Sequence, residues 1–344
     1  MRKTIDELCA LPGISGREMT VCDYVKAHLQ DAPAVREIRT DRLGNCFVSL
    51  AGRQKAKKTV VFAAHMDEVG GMVTGITEDG YLRFTTVGGI SDDVVFGKTV
   101  WVNGHAGVIG GKAVHQCQGD EKKTVPSADT LYVDIGAATA EEARAVAREG
   151  DAITFSPTVT ELTETAFCAK ALDDRVGCAL LLALAHTVPA HDVTLIFTVQ
   201  EEVGTRGAAV AAFATQPDIA IVIDATTASD IPSVSAEKQV ARVGGGPVVS
   251  FMDKGTMYDP ALYSLIRSLA EQNGILSQTK TMVAGGNDSR AFQCAGVGAR
   301  VAAVSLPCRY IHSPSCLLEQ SDVEQTYRLL ELLLNRLPSG EDAV

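Results

Sequence analysis

The sequence predicts an α/β fold, a sheet covered by helices, with a small β-barrel inserted into it. Three observations lead there. Four short apolar runs, TVVFAAH (59–65), VTLIFTVQ (193–200), DIAIVIDA (218–225) and ARVAAVSLP (299–307), are continuous rather than alternating, the pattern of central strands covered on both faces. Helix-like segments such as RVGCALLLALAHTV lie between some of them. Between Val69 and Phe167 the texture changes to Gly-rich, alternating pieces such as YLRFTTVGG, KTVWVNGHAGVIGG, TLYVDIG and DAITFSP, which read as short strands separated by turns.

Taken in order, an N-terminal helical region is followed by SGREMTVCDYVKAHL, where Ser15 and Glu18 stand at capping-box spacing before an apolar helical face. The first apolar run closes the opening segment. Residues 69–167 then form the inserted barrel, with EEARAVAREG as its one clear helix, and residues 1–68 and 168–344 together form the α/β domain. The chain closes on SDVEQTYRLLELLLNRL, where Ser321 and Glu324 again suit a capping box and the leucines form a packing stripe without chemistry.

A chain of 344 residues can bury a sizeable core and carry a second module, and 46% hydrophobic with 21% charged residues describes a globular protein. The net charge of -11 argues against nucleic acid, whose phosphates need a basic face. MRKTIDELCALPG has no apolar core followed by a small-residue cleavage site, and no stretch reaches the length of a membrane span, so neither a signal peptide nor a membrane partner is expected. The nine cysteines are odd in number, with no CxxC pair, which fits free thiols in a reducing cytoplasm.

Chemistry gathers where the runs end. His65 and Asp67 close the first; Asp173 and Asp174 follow AFCAKAL; Glu201 and Glu202 close VTLIFTVQ; Asp224 lies in DIAIVIDA; His312 follows the last run. In open α/β sheets, ligands sit beyond the carboxyl ends of strands, where groups remote in sequence meet. Singly, a histidine after a strand is usually structural, an Asp usually a cap and an EE pair usually a solvated turn. Five such coincidences at the ends of buried runs are harder to dismiss. Carboxylates gathered in one cleft would become protonated unless cations neutralised them, and imidazoles among them point to zinc or cobalt rather than calcium or magnesium. A metal pair roughly 3.5 to 4 Å apart needs a bridging carboxylate and terminal ligands, and its chemistry needs one further carboxylate free to carry a proton. Adjacent glutamates can divide those tasks, one on metal and one as base, because neighbouring side chains at a strand end point different ways.

HMDEVG, KALDDRVG, VQEEVGTRGA, VIDATTASD, GGNDS and RYIHSP occur here in the order found in the cocatalytic metallo-aminopeptidases of the tetrahedral (TET) type, which this sequence resembles from LPGISGRE to its last helix. That family includes glutamyl and deblocking aminopeptidases, and relatives have carried an endoglucanase label. The resemblance implies a zinc-peptidase-like mixed sheet between helices with an inserted β-barrel dimerisation domain, and assembly as dimers and hollow dodecamers acting on short peptides. It implies two metal ions per subunit: His65 on one, Asp173 as the bridge, Asp224 completing the first site, Glu202 and His312 completing the second. Asp67 would orient His65, and Glu201 would be the general base and acid. In related enzymes a cis peptide joins the residues at Asp173 and Asp174. GGNDS departs from the family's usual GGTD at Asn287, and no acidic residue follows HSP, which bears on substrate preference more than on catalysis. A related amidohydrolase, deacetylase or carboxypeptidase-like, is the alternative; a glycoside hydrolase needs two carboxylates but no histidines in a metal constellation. Asp288 and Arg290 are read either as substrate-facing or as a structural turn. Of the remaining histidines, His28, His186 and His191 are read as surface residues of helical or linking segments, and His105 and His115 lie in the inserted domain, where His115 is the one with a chance of approaching a site.

Overall fold

The computed structural model describes residues 1–340. The chain opens with α1 (Arg2–Ala10) and α2 (Met19–Leu29), then β1 (Val35–Thr40), β2 (Cys46–Leu50) and β3 (Val60–His65). Next come β4 (Gly70–Ile76), β5 (Leu82–Val87), the one-turn α3 (Asp92–Val95), β6 (Thr99–Val102), β7 (His105–Gly110), β8 (Tyr132–Asp134), α4 (Ala140–Val146) and β9 (Ala152–Phe155). A hairpin of β10 (Thr160–Glu161) and β11 (Ala166–Ala169) leads to α5 (Leu172–Ala185), β12 (Val193–Thr198), α6 (Arg206–Thr215) and β13 (Ile219–Thr227). The last part holds β14 (Val248–Val249), α7 (Pro260–Gln272), β15 (Gln278–Thr279), α8 (Ser289–Cys294), β16 (Arg300–Cys308), β17 (Cys316–Glu319) and α9 (Gln320–Arg336).

Among the described residues, the main sheet runs β1-β2-β12-β3-β13-β16-β14-β15. Its centre, β12, β3, β13 and β16, is parallel, and antiparallel pairings of β2 with β12 and of β14 with β16 make it a mixed sheet. Residues alternate between the two faces with the period of a strand. Val60, Phe62 and Ala64 of β3 pack with the leucines of α5 and α9, whereas Val61 and Ala63 pack with Ala208, Ala211 and Ala212 of α6 and Phe292 of α8. Burial on both faces is why these strands are apolar throughout. The four predicted runs match β3, β12, β13 and β16 to within two residues.

Strands β4-β5-β8-β7-β6-β9 close into a barrel with its own core, in which Leu82, Phe84, Val102, Val133 and Phe155 are buried. Closure leaves no free strand edge. The barrel starts five residues after His65, so it stands against the carboxyl edge of the parallel strands. β11 pairs with β17, and the segment between β11 and α5 carries the chain back to that edge.

Two capping boxes read from sequence do not form. Glu18 is itself the residue before α2 and makes no side-chain cap there. Ser15 instead donates its hydroxyl to Asp67 Oδ2 (2.6 Å), and Glu18 Oε1 accepts the amides of Gly16 (2.6 Å) and Gln200 (3.1 Å). Tertiary acceptors and donors outcompeted the local ones. At the other end α9 starts at Gln320, placing Ser321 inside the helix, and Glu324 accepts from Gln320 Nε2 (3.1 Å). No described helix is long and apolar enough to cross a membrane.

Candidate active site

The carboxyl edge brings together residues from six segments. His65 is the last residue of β3 and lies opposite Thr198 of β12 in parallel register. Asp224 lies in β13 beside Ser305 of β16. The chain leaves β12 through Gln200, whose φ of 56° turns it sharply, and the next two residues are Glu201 and Glu202. That turn is pinned from below: Asp67 Oδ1 accepts the Glu201 amide (3.0 Å) and Asp67 Oδ2 the Glu202 amide (3.1 Å). Asp67 is fully buried and also faces His65, whose Nδ1 lies 3.1 Å from the Asp67 carbonyl and 3.4 Å from its Oδ1.

Nδ1 of His65 is thereby tied, and Nε2 turns to the carboxylates, 3.2 Å from Asp173 Oδ1 and 3.8 Å from Asp224 Oδ1. His312, on the loop after β16, is arranged in the same way. Its Nδ1 donates to the carbonyl of Gly89 (2.8 Å), in the segment after β5, and its Nε2 lies 3.6 Å from Asp173 Oδ2 and 3.4 Å from Glu202 Oε2. The insertion therefore sets the orientation of one imidazole of the α/β part. Asp173 is joined to Asp174 by a cis peptide. Asp173 reaches both histidines, while Asp174 turns away to accept the Gly177 amide (3.1 Å).

Among the described residues, two groups of side chains offer ligand atoms within 4.8 Å of one another: His65, Asp173 and Asp224, and Asp173, Glu202 and His312. Asp173 belongs to both. Glu201 lines the same pocket and belongs to neither. Asp288 is buried below, accepting the Thr198 hydroxyl (2.6 Å), and burial pushes its pKa up to about 6. Arg290 is exposed, as are His28, His105, His115 and His186, and His191 is half-buried.

The electrostatics test whether these residues suit a cation. Burial, then the charge of Asp173, pushes Glu202 up to about 7 and Asp224 well above the usual carboxylate range. Burial raises Glu201 likewise. For Asp173 burial also acts upward, but the two imidazoles beside it, His312 and His65, outweigh it and hold the acid low. The neighbouring Asp173 carboxylate lifts His312 to about 10. Four carboxylates thus crowd a pocket that two imidazoles only partly neutralise. One imidazole and two carboxylates in each group suit a borderline divalent cation, which would relieve the repulsion.

Metal removal has a pH signature. In metal-free protein Glu202 keeps its proton up to about pH 7, whereas the unfolded chain releases it near 4.5, so folding loses stability as pH rises across that window. Glu202 alone contributes on the order of 3 kcal/mol. Glu201 and Asp224 act in the same sense. The histidines continue it: the raised pKa of each stabilises the fold below about 6.5, a gain that is lost as pH rises through the folded values, which for His312 is about 10. Thermal unfolding of chelator-treated protein is expected to show lower stability at pH 8 than at pH 5, with the loss removed by reloading metal. Equal pH dependence with and without metal would contradict this account.

Sequence reading passed over the support behind Asp173. Glu68 Oε1 accepts the Gly13 amide (3.0 Å), and its two oxygens take Lys170 Nζ at 2.8 and 2.7 Å. Arg175, fully buried, donates to the carbonyls of Met66 (2.8 Å) and Leu8 (2.6 Å) and reaches Glu68 at 3.5 Å. Lys170 and Arg175 bracket Asp173. Charges inside otherwise apolar stretches are the available signal, because a buried charge needs a partner. The Gly89 carbonyl leaves no trace in side-chain identity.

Residues 44–329 match the sequence profile of the M42 glutamyl aminopeptidase family. The chain belongs to that family. Like other M42 members it is a hydrolase of peptide bonds. The putative aminopeptidase FrvX of Escherichia coli is 36% identical over 97% of this chain and 94% of its own length. Among solved structures, aminopeptidase APDkam598 from the archaeon Desulfurococcus kamchatkensis superposes with a TM-score of 0.93 at 31% identity, covering 99% of this chain and 96% of that one. Pyrococcus horikoshii TET1 peptidase, described as assembling into a tetrahedron or a large octahedral shell, superposes at 0.86 with 32% identity, covering 97% and 98%. The M42 match and these aminopeptidase neighbours favour a peptidase over a glycoside hydrolase.

Proposed function

We propose that this M42 peptidase is a dinuclear metal-dependent aminopeptidase that removes the first residue of short peptides. The observation that carries the proposal is the division at the carboxyl edge: Asp173 is shared by two groups of potential ligands, while Glu201 lies beside both and within neither. His65, Asp173 and Asp224 would hold one ion and Asp173, Glu202 and His312 the other, with zinc or cobalt suited to these donors. When bound, the ions would supply Lewis acidity to the scissile carbonyl and to the attacking water. Glu201 takes the proton from that water and hands it to the departing amine. Asp67 keeps Glu201 in place through its backbone amide and orients the imidazole of His65. Gly89 does the same for His312.

Two further parts of the proposal rest on the family and on composition. Residues 69–167 act as a contact unit in a homo-oligomer, a dimer or tetrahedral dodecamer, as the assembly described for the P. horikoshii TET1 peptidase supports. The nine free cysteines support a reducing compartment, the cytoplasm.

The test is a panel of aminoacyl p-nitroanilides offered to metal-stripped protein and to protein reloaded with zinc or cobalt, with N-acetylated substrates and C-terminally extended peptides alongside. Hydrolysis of free-amine substrates only after reloading is expected, and sedimentation of the reloaded sample should give an oligomer. Cleavage confined to blocked substrates would move the reading to a deacetylase, and release from the carboxyl end to a carboxypeptidase.

A further inference from the structure

A second cavity, about 840 Å³, opens between α2, the turn before β2 and the barrel, and none of the proposed metal ligands lines it. Cys22 and Lys26, one turn apart on α2, share its wall with Arg17, Arg42 and Trp101. Cys22 is 5% exposed there. The face of α2 that carries Cys22, Val25 and Leu29 belongs to the same core as Cys46, Val48 and Leu50, which share one face of β2. That packing sets the thiol of Cys46 beside that of Cys22, with the Lys26 ammonium next to the pair. Cys46 is fully buried and lies behind the cavity wall.

The two thiols differ in character. The neighbouring Cys46 thiol, against the upward push of burial and with help from Lys26, holds Cys22 at about 7, so about half of it is thiolate at neutral pH. Cys22 and then burial push Cys46 up, and it keeps its proton. A thiolate beside a cation, reached from an open cavity and backed by a second thiol, is the arrangement of an attacking and a resolving cysteine. Both cysteines sit on segments that hold the catalytic turn. Glu18, whose carbonyl accepts the Cys22 amide (3.0 Å), takes the Gln200 amide on its side chain (3.1 Å). Next to Cys46, Asn45 accepts the Val199 amide (3.1 Å) and donates to the Gly207 carbonyl (2.9 Å). A bond between the sulfurs draws them from contact to about 2 Å apart, so it shifts these two supports of Glu201 and Glu202 relative to each other.

We propose that Cys22 and Cys46 form a dithiol that hydrogen peroxide oxidises to a disulfide, slowing the peptidase reversibly. The Cys22 thiolate attacks one peroxide oxygen and the O–O bond breaks; the hydroxide released leaves as water with the proton that Cys22 had given up, and Cys22 becomes a sulfenic acid. The Cys46 sulfur then attacks the Cys22 sulfur, the S–O bond breaks, and the hydroxyl leaves as a second water with the Cys46 proton. The two thiols lose two electrons and the peroxide gains them. In a reducing compartment the pair returns to thiols by exchange.

The test treats zinc-loaded protein with a few equivalents of hydrogen peroxide, then alkylates it and maps it by mass spectrometry. A Cys22–Cys46 disulfide is expected ahead of any change at Cys308 and Cys316, which also lie side by side but away from that cavity. In Cys46→Ser the sulfenic acid on Cys22 should persist and be trapped by dimedone. Lys26→Met should slow disulfide formation about two- to tenfold at pH 7 as the thiolate fraction falls. Oxidised wild type should lose about tenfold or more in kcat, since a displacement of about 1 Å can cost a hundredfold. A phosphine reductant should restore it, and Cys22→Ser treated alike should keep its rate.

Cys22 left reduced while the exposed Cys294 is oxidised would overturn the proposal. So would a disulfide joining Cys22 to any cysteine but Cys46, or a Cys22–Cys46 disulfide that leaves kcat unchanged. The disulfide is read without substrate, so loss of the aminopeptidase reading would leave that result standing.

Discussion

Replacing Glu201 by Gln lowers kcat by two to four orders of magnitude on the proposed mechanism, the range that a positioned acid–base group contributes. Bound metal should stay at the wild-type level, because Glu201 belongs to neither group of ligand atoms. The amide is nearly isosteric with the acid, and the turn is held through the Glu201 backbone, so its geometry survives the change. Metal analysis and kinetics on one preparation separate the possibilities. Loss of both metal and activity would make Glu201 a ligand; full activity would send the proton through another group. The partner experiment is Glu202→Gln, which should lose metal, since Glu202 Oε2 stands 3.4 Å from Nε2 of His312.

The second large effect is on stability. Glu68, Lys170 and Arg175 are each no more than 1% exposed, and Glu68 is the carboxylate that both cations reach. Glu68→Gln leaves two buried cations without an anion, at a cost of about 3 to 5 kcal/mol, the usual consequence of breaking a buried charge network from one side. Denaturant unfolding of the metal-free protein measures it without contributions from bound ions. Replacing Lys170 by Met in the Glu68→Gln background should recover part of the loss, because one orphaned charge disappears with it. A change below about 1 kcal/mol would mean that water reaches these groups. Metal affinity should fall as well, since Lys170 and Arg175 flank the segment that presents Asp173.

Much of the fold was legible because its signals are local. A strand buried on both faces has to be apolar throughout, so β3, β12, β13 and β16 stood out, and the barrel stood out through alternation and turn residues. The capping boxes were misread for a related reason. Spacing records which residues could bond locally, but Ser15 and Glu18 found Asp67 and the Gln200 amide across the fold.

For the site, the sequence by itself determined the inventory: acids and histidines at the ends of buried strands, and the order of motifs that points to the family. Strand ends in a parallel sheet share one edge, so their proximity follows from topology alone. Tertiary structure decided everything that depends on direction. It set Asp173 between the two histidines and turned Asp174 away, and it hung His312 on a carbonyl of the inserted segment. Asp173 and His312 meet partners more than a hundred residues away, and the turn of Asp174 towards its neighbour Gly177 depends on backbone dihedrals; neither is encoded in the identity or spacing of neighbouring residues.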